Sequence, residues 1–120
     1  MKRMFINSEI FTRFFDRFIK EGKLLQKDFE DFENELMKDP KKGEVIPGMS
    51  GLRKIRIKSA SKGKRGGFRI DYLDFPEFGV IYYIVIYPKN VKEDLDPEEK
   101  KILLKLINKI KEEIGHGKNV

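Results

Sequence analysis

The sequence predicts an α+β fold: two N-terminal helices and a C-terminal helix around a small, twisted, mostly antiparallel sheet, in the order β-α-α-β-β-β-α. Three observations carry this. Apolar residues recur at helical spacing in three separate stretches. A clean two-residue alternation, followed by a continuous β-branched and aromatic run, lies between the second and third of them. Glycine and proline punctuate the changes of period.

Met4-Phe5-Ile6 reads as a short first strand, and Asn7 or Ser8 then offers a helix N-cap. Ile10, Phe11, Phe14, Phe15, Phe18 and Ile19 share one helical face, so a helix from about Ser8 to Glu21 is expected, with Gly22 as its stop. Leu25, Phe29, Phe32 and Leu36 form the stripe of a second helix. It should end before Pro40, because the residue ahead of a proline avoids helical backbone angles. Residues 39–51 hold two prolines and three glycines and read as loop. Leu52 to Lys58 alternates as a strand, residues 59–67 (SASKGKRGG) form a glycine-rich hairpin loop, and Gly67 to Phe75 is the return strand. Residues 76–79 make a tight turn. Val80 to Tyr87 (VIYYIVIY) is apolar throughout, as a central strand is.

The last helix announces itself: Asp96 as N-cap, Pro97 at the first helical position and Glu99 completing a capping box. Ile102, Leu103, Leu106, Ile107, Ile110 and Ile114 form its stripe, and Gly115 is its expected C-terminal stop. One domain over residues 1–115 and a frayed tail over 116–120 follow. Burying the Phe-rich helices against one face of the sheet would leave the opposite face free for function.

Composition narrows the function. The 120 residues carry a net charge of +6, which points to polyanionic partners. No cysteine is present, so disulfides and thiolate zinc sites are excluded and a reducing cytoplasm fits. No apolar run is long enough to span a membrane, and the N-terminus lacks the apolar core of a signal peptide.

The charge is concentrated. From Arg53 to Arg69 there are eight basic residues (Arg53, Lys54, Arg56, Lys58, Lys62, Lys64, Arg65, Arg69) and no acidic one. Strand side chains alternate faces. Ile55 and Ile57 therefore point one way while Lys54, Arg56 and Lys58 point the other. On the return strand, Phe68, Ile70 and Tyr72 oppose Arg69 and Asp71. Burying the apolar rows gathers Lys54, Arg56 and Arg69 on one exposed face, where an anion is expected; a solvated face eased by an Arg56–Asp71 pair is the plainer alternative. Lys62, Lys64 and Arg65 sit among glycines, whose backbone N–H groups can approach phosphate closely.

The available chemistry is narrow. Two-histidine ribonuclease chemistry is unavailable, since His116 in the tail is the only histidine. Asp71, Asp74 and Glu77 could be metal-binding carboxylates, but the latter two read as turn formers. What remains is metal-free cleavage of RNA by its own 2′-hydroxyl. Like charges beside Lys54 disfavour its ammonium, so it could act as a general base. Arg56 and Arg69 would hold the phosphate and stabilise the charged transition state. Tyr87 could stack on a base, act as the acid, or be a plain strand-end aromatic.

Three stretches resemble HigB-type toxins of the RelE/ParE superfamily. Val45 to Arg56 (VIPGMSGLRKIR) resembles their "VI-x-G-x-GGLRKIR" run. Gly63 to Tyr72 (GKRGGFRIDY) resembles "GKRGG-x-R-x-x-Y". Tyr87-Pro88-Lys89-Asn90, with Asp94-Leu95-Asp96 and Glu99-Lys100-Lys101 beyond, resembles "Y-x-K-N…DL…E-K-K". The resemblance implies a toxin of a type II toxin–antitoxin pair that cleaves messenger RNA in the ribosomal A site without metal or other cofactor. Its implied partners are the ribosome, the mRNA and a HigA-like helix-turn-helix antitoxin. It places the site on Lys54, Arg56 and Arg69 and a phosphate or RNA contact on Lys89; together with the residue chemistry above, catalysis is expected on Lys54, Arg56, Arg69 and Tyr87, and RNA contacts on Arg53, Lys58, Lys62, Lys64, Arg65, Tyr72 and Lys89. Two residues depart from the pattern: Asp71 replaces an apolar residue and could quench the site, and Ser50 replaces the first glycine of "GG". The same superfamily includes ParE-type DNA gyrase inhibitors, so a non-catalytic gyrase poison or a simple RNA-binding module is the alternative.

Overall fold

The computed structural model describes residues 3–58, 67–89 and 94–118. It is α+β: three helices and a mixed five-stranded sheet. The elements are β1 (Met4–Asn7), α1 (Glu9–Lys20), α2 (Gln26–Lys38), β2 (Glu44–Val45), β3 (Arg53–Lys58), β4 (Gly67–Phe75), β5 (Val80–Pro88) and α3 (Pro97–Lys118), with one 3-10 turn over Pro76–Phe78. The strand order is β1-β5-β4-β3-β2, with β1 parallel to β5 and the other pairs antiparallel. The first strand of the chain therefore lies beside the last.

Ser8 joins α1 to the sheet. Its extended backbone ends β1, its Oγ accepts from the Phe11 N–H at 3.0 Å, and its hydroxyl donates to the Ile84 carbonyl at 2.6 Å. Gly22, at φ 71, ends the helix in the left-handed region that glycine adopts without a steric cost. On the inner faces of α1 and α2, Phe11, Phe18, Phe29, Phe32 and Leu36 are buried against Ile57, Phe68, Ile70, Tyr72, Ile81, Tyr83 and Ile86. Tyr83 is the hub: Phe5, Phe11 and Phe29 lie with ring centroids 5.4, 4.9 and 5.8 Å from it, within aromatic pairing range. Leu24 enters this core in place of the expected Leu25, which sits at the helix cap and is exposed.

The other face of the sheet is not free. Leu103, Ile107 and Ile110 of α3 bury against Ile46, Met49, Leu52, Leu73, Ile84, Tyr87 and Leu95. The amphipathic α3 had only this face left to cover, so the open working face is confined to its β2–β3–β4 side. The capping box forms as expected, with reciprocal bonds of 2.9 Å between Asp96 and Glu99. The helix does not stop at Gly115, whose φ stays negative; it continues through to Lys118. In the 46–52 turn Ser50 holds φ 58, a glycine-like conformation, and Lys111 of α3 donates to its Oγ at 2.8 Å.

β5 carries a bulge. Asp71 pairs with Val85 and Tyr72 with Tyr83, which leaves Ile84 as an extra residue. The two-residue alternation reverses across it. Ile81, Tyr83 and Ile86 face α1 and α2, while Ile84 and Tyr87 face α3.

Removing the Ser8 hydroxyl deletes a helix cap and leaves a buried carbonyl short of a donor. Ser8→Ala is expected to destabilise the protein by about 1–3 kcal/mol in denaturant titration; a change below a few tenths would show that the cap does not join α1 to β5.

Candidate nucleic-acid interface

The β3–β4 hairpin, flanked by β2 and β5, lays side chains in rows across one face. One row is Glu44, Lys54, Asp71 and Val85; the next is Arg56, Arg69 and Tyr87. Lys54, Arg56 and Arg69 thus converge as strand alternation requires. Arg56 is exposed, and Lys54 and Arg69 are half-buried. With Lys42, Gly43 and Glu44 they line an open groove of about 370 Å³. Two guanidinium groups directly opposite one another repel, so the pair favours an anion between them.

The carboxylates are placed differently from the expectation. Arg56 stands opposite Arg69, not Asp71, and Asp71 stands opposite Lys54. The Lys54 Nζ also donates to Asp94 Oδ1 at 2.6 Å, and this hydrogen bond holds the Asp94 carboxyl below its usual range. Lys54 therefore has a carboxylate partner in addition to its neighbouring cations. Asp94, in the segment ahead of α3, comes to the site only through the fold and carries no local sequence signal for it.

Asp71 is fully buried. Burial raises its carboxyl to about 7, against the opposing effects of the Tyr87 hydroxyl, Arg69 and Lys54. The Tyr87 hydroxyl lies 3.5 Å from Asp71 Oδ1. Burial also raises the Tyr87 phenol, followed by the Asp71 charge, so it stays a proton-bearing group. Among the described residues, Arg69 Nε and Asp71 Oδ2 are buried without a hydrogen-bond partner.

Two expected RNA contacts lie on the opposite face. Tyr72 is fully buried; its hydroxyl donates to the Pro40 carbonyl at 2.8 Å and accepts from the Gly43 N–H at 2.9 Å. Arg53, opposite Tyr72, donates through Nη1 to the carbonyls of Lys41 and Gly43 at 3.1 and 2.7 Å. Both residues hold the turn into β2, and no side chain could replace the hydrogen at Gly43, where a Cβ would lie 2.8 Å from the Tyr72 ring. Lys58 is exposed at the end of β3, on the side of Lys54 and Arg56. Lys89 follows β5, its N–H bonded to the Gly67 carbonyl at 3.0 Å, beside the hairpin. Lys62, Lys64 and Arg65 lie outside the described residues.

The carboxylates suspected of metal binding are dispersed. Asp74 Oδ1 pairs with Arg3 at 3.1 Å, away from Asp71. Among the described residues, no group of three or more acidic or histidine side chains is placed to hold a metal ion. Nor is any described helix long and apolar enough to cross a membrane.

No protein-family model matches the sequence. Among solved structures, the chain is similar to a double mutant of the E. coli toxin RelE in the free state. The two are 22% identical, the match covers 78% of this chain and 90% of that one, and the TM-score is 0.49. That distance is too great to carry site residues from one chain to the other.

Two stability outcomes follow. A carboxyl raised from 3.8 to about 7 by folding favours the native state most below its unfolded value, and that contribution is lost as pH rises through about 7. Asp71→Asn, which keeps the shape and removes the ionisation, should therefore stabilise the fold by up to roughly 4 kcal/mol at about pH 8 and change it little near pH 4. Equal shifts in the two denaturation curves would contradict this. Tyr72→Phe should cost about 1–3 kcal/mol by stranding the Gly43 N–H, read as an earlier denaturation midpoint.

Proposed function

We propose that this chain is the toxin of a type II toxin–antitoxin pair, of the HigB type, and a ribosome-dependent mRNA endonuclease. The observation that carries this reading is the row in which Arg56 and Arg69 stand directly opposite one another beside Tyr87, with Lys54 two residues from Arg56 on the same face. The partners proposed are the ribosome with its mRNA and a HigA-like helix-turn-helix antitoxin.

In this reading a scissile phosphate lies in the groove, with its non-bridging oxygens on Arg56 and Arg69. Two guanidinium groups can bind these oxygens in forked geometry, and they hold the charge that grows as the 2′-oxygen attacks phosphorus. The Lys54 ammonium adds a third positive charge once phosphate replaces Asp94 as its partner. Tyr87, whose phenol keeps its proton, supplies a donor at the edge of the same row. As the 2′-oxygen–phosphorus bond forms and the phosphorus–5′-oxygen bond breaks, Tyr87 gives its proton to the leaving 5′-oxygen, the 2′-hydroxyl proton passes to solvent water, and Tyr87 regains a proton from water.

The site has no strong base among its described residues. Asp94 is held below the usual carboxylate range, Asp71 is partly protonated near neutrality, and Lys54 is paired. Rate acceleration must come from charge and from in-line placement of the 2′-hydroxyl. In this reading the ribosome supplies that placement by holding the mRNA, and this is the physical origin of the proposed ribosome dependence.

The test is a translation reaction with purified protein, its mRNA ends mapped by primer extension with and without ribosomes. Cuts within translated codons are expected only with ribosomes. Arg69→Ala should reduce them by about 10²–10³, the scale for losing one transition-state donor. Intact mRNA with the wild-type protein would overturn the reading. If the intact-mRNA result came with inhibited DNA supercoiling by gyrase, the gyrase-inhibitor alternative would replace it.

A further inference from the structure

The proposed chemistry makes no use of Asp71, yet this carboxyl lies at the centre of the cation face. It is fully buried, opposite Lys54 and two residues from Arg69 on the same side of β4. Its Oδ1 is at the limit of hydrogen-bond range from the Tyr87 hydroxyl, and its Oδ2 has no partner among the described residues. Charged and titratable groups face it from every element packed around it. These are Lys54 from β3, Arg69 from β4, Tyr87 from β5 and Asp94 from the segment ahead of α3. Arg56 and Glu44 stand one position further out, opposite Arg69 and Lys54.

An ionised Asp71 is a counterion to Lys54 and Arg69. An RNA phosphate needs the same two cations. Both anions cannot be accommodated without repulsion across a poorly screened interior. A proton on Asp71 removes that conflict. It also gives the buried Oδ2 side of the carboxyl a hydrogen to share in a region crowded with oxygen acceptors once phosphate is present.

We propose that Asp71 takes up a proton when an RNA phosphate binds the Lys54–Arg56–Arg69 face, so that phosphate binding and protonation of this carboxyl are linked. The inference rests on the reading of that face as the RNA site, and not on cleavage. The free protein already holds the carboxyl near 7, so the proton is available close to neutrality. The sign follows. Bound phosphate raises the carboxyl further, so affinity is constant below about 7 and falls as pH rises above it, by up to about tenfold per pH unit until the bound-state value is reached. Asp94, held low, does not titrate in this window. Asp71 is a positioning residue here, because it acts on phosphate through the cations above it.

The probe is a labelled single-stranded RNA carrying 2′-O-methyl groups throughout, which cannot be cut. Its affinity is measured by fluorescence anisotropy at constant ionic strength from about pH 6 to about pH 9. Wild-type protein should lose affinity progressively above about pH 7, and Asp71→Asn should keep the low-pH affinity across the range. In parallel, carbon NMR of labelled aspartate should show the Asp71 carboxyl midpoint moving upward when the RNA is added; this measurement decides the matter alone if the variant does not fold. A pH-independent wild-type affinity, a variant with the wild-type slope, an unmoved midpoint or no binding at any pH would each overturn the proposal. Proton-linked binding by a protein that leaves translated mRNA intact would refute the nuclease reading and keep this one; cleavage with pH-independent binding would do the reverse.

Discussion

The pairing of β4 with β5 is the constraint on which the rest of this structure depends. Both cores draw on β5: Tyr83 and Ile86 belong to the helical layer of α1 and α2, Ile84 and Tyr87 to the layer of α3. That division is possible only because one extra residue at Ile84 reverses the alternation. Without the bulge, Tyr87 would share the face of Tyr83 and point into the phenylalanine core. With it, Tyr87 stands beside Arg69 on the cation face. One inserted residue therefore decides whether the site has a phenol.

Electrostatics and burial work against one another at the same place. Three cations gathered by a hairpin would repel each other, and the chain supplies Asp71 from beneath and Asp94 from the side. The buried carboxyl is itself disfavoured as an anion, because desolvation outweighs its neighbours. The result is a face whose charge is not fixed by composition. It depends on whether Asp71 is ionised and on the pairing of Asp94 with Lys54.

Much of this was legible in the sequence, for identifiable reasons. Alternation in RKIRIK and GFRIDY placed Lys54, Arg56 and Arg69 on one face because each strand has a clear apolar row to bury. The capping box at Asp96 and Glu99 was legible because its geometry is local. The bulge was not, since VIYYIVIY offers apolar residues to both faces and no polar residue marks the reversal. Tyr72 and Arg53 read as RNA contacts because their types suit RNA; only the turn around Gly43 shows that their polar atoms are already used by backbone. β2 is two residues long and flanked by loop, too short to show a period. Asp94 is remote from Lys54 in sequence, and nothing local joins them. The direct opposition of Arg56 and Arg69 required a hairpin register that the glycine-rich loop does not specify.

The parallel pairing of β1 with β5 has a kinetic side. Residue 4 lies beside residue 80, so the sheet closes only after nearly the whole strand-bearing part of the chain exists. Contacts this distant in sequence form late and slowly, whereas the β3–β4 hairpin joins neighbours and can form early. During synthesis the cations would come together before the strand that brings Tyr87 to them, and the Phe-rich faces of α1 and α2 would wait, uncovered, for β5 to emerge. The order of assembly separates a nascent chain whose cations are already gathered from a finished one with its full row of side chains.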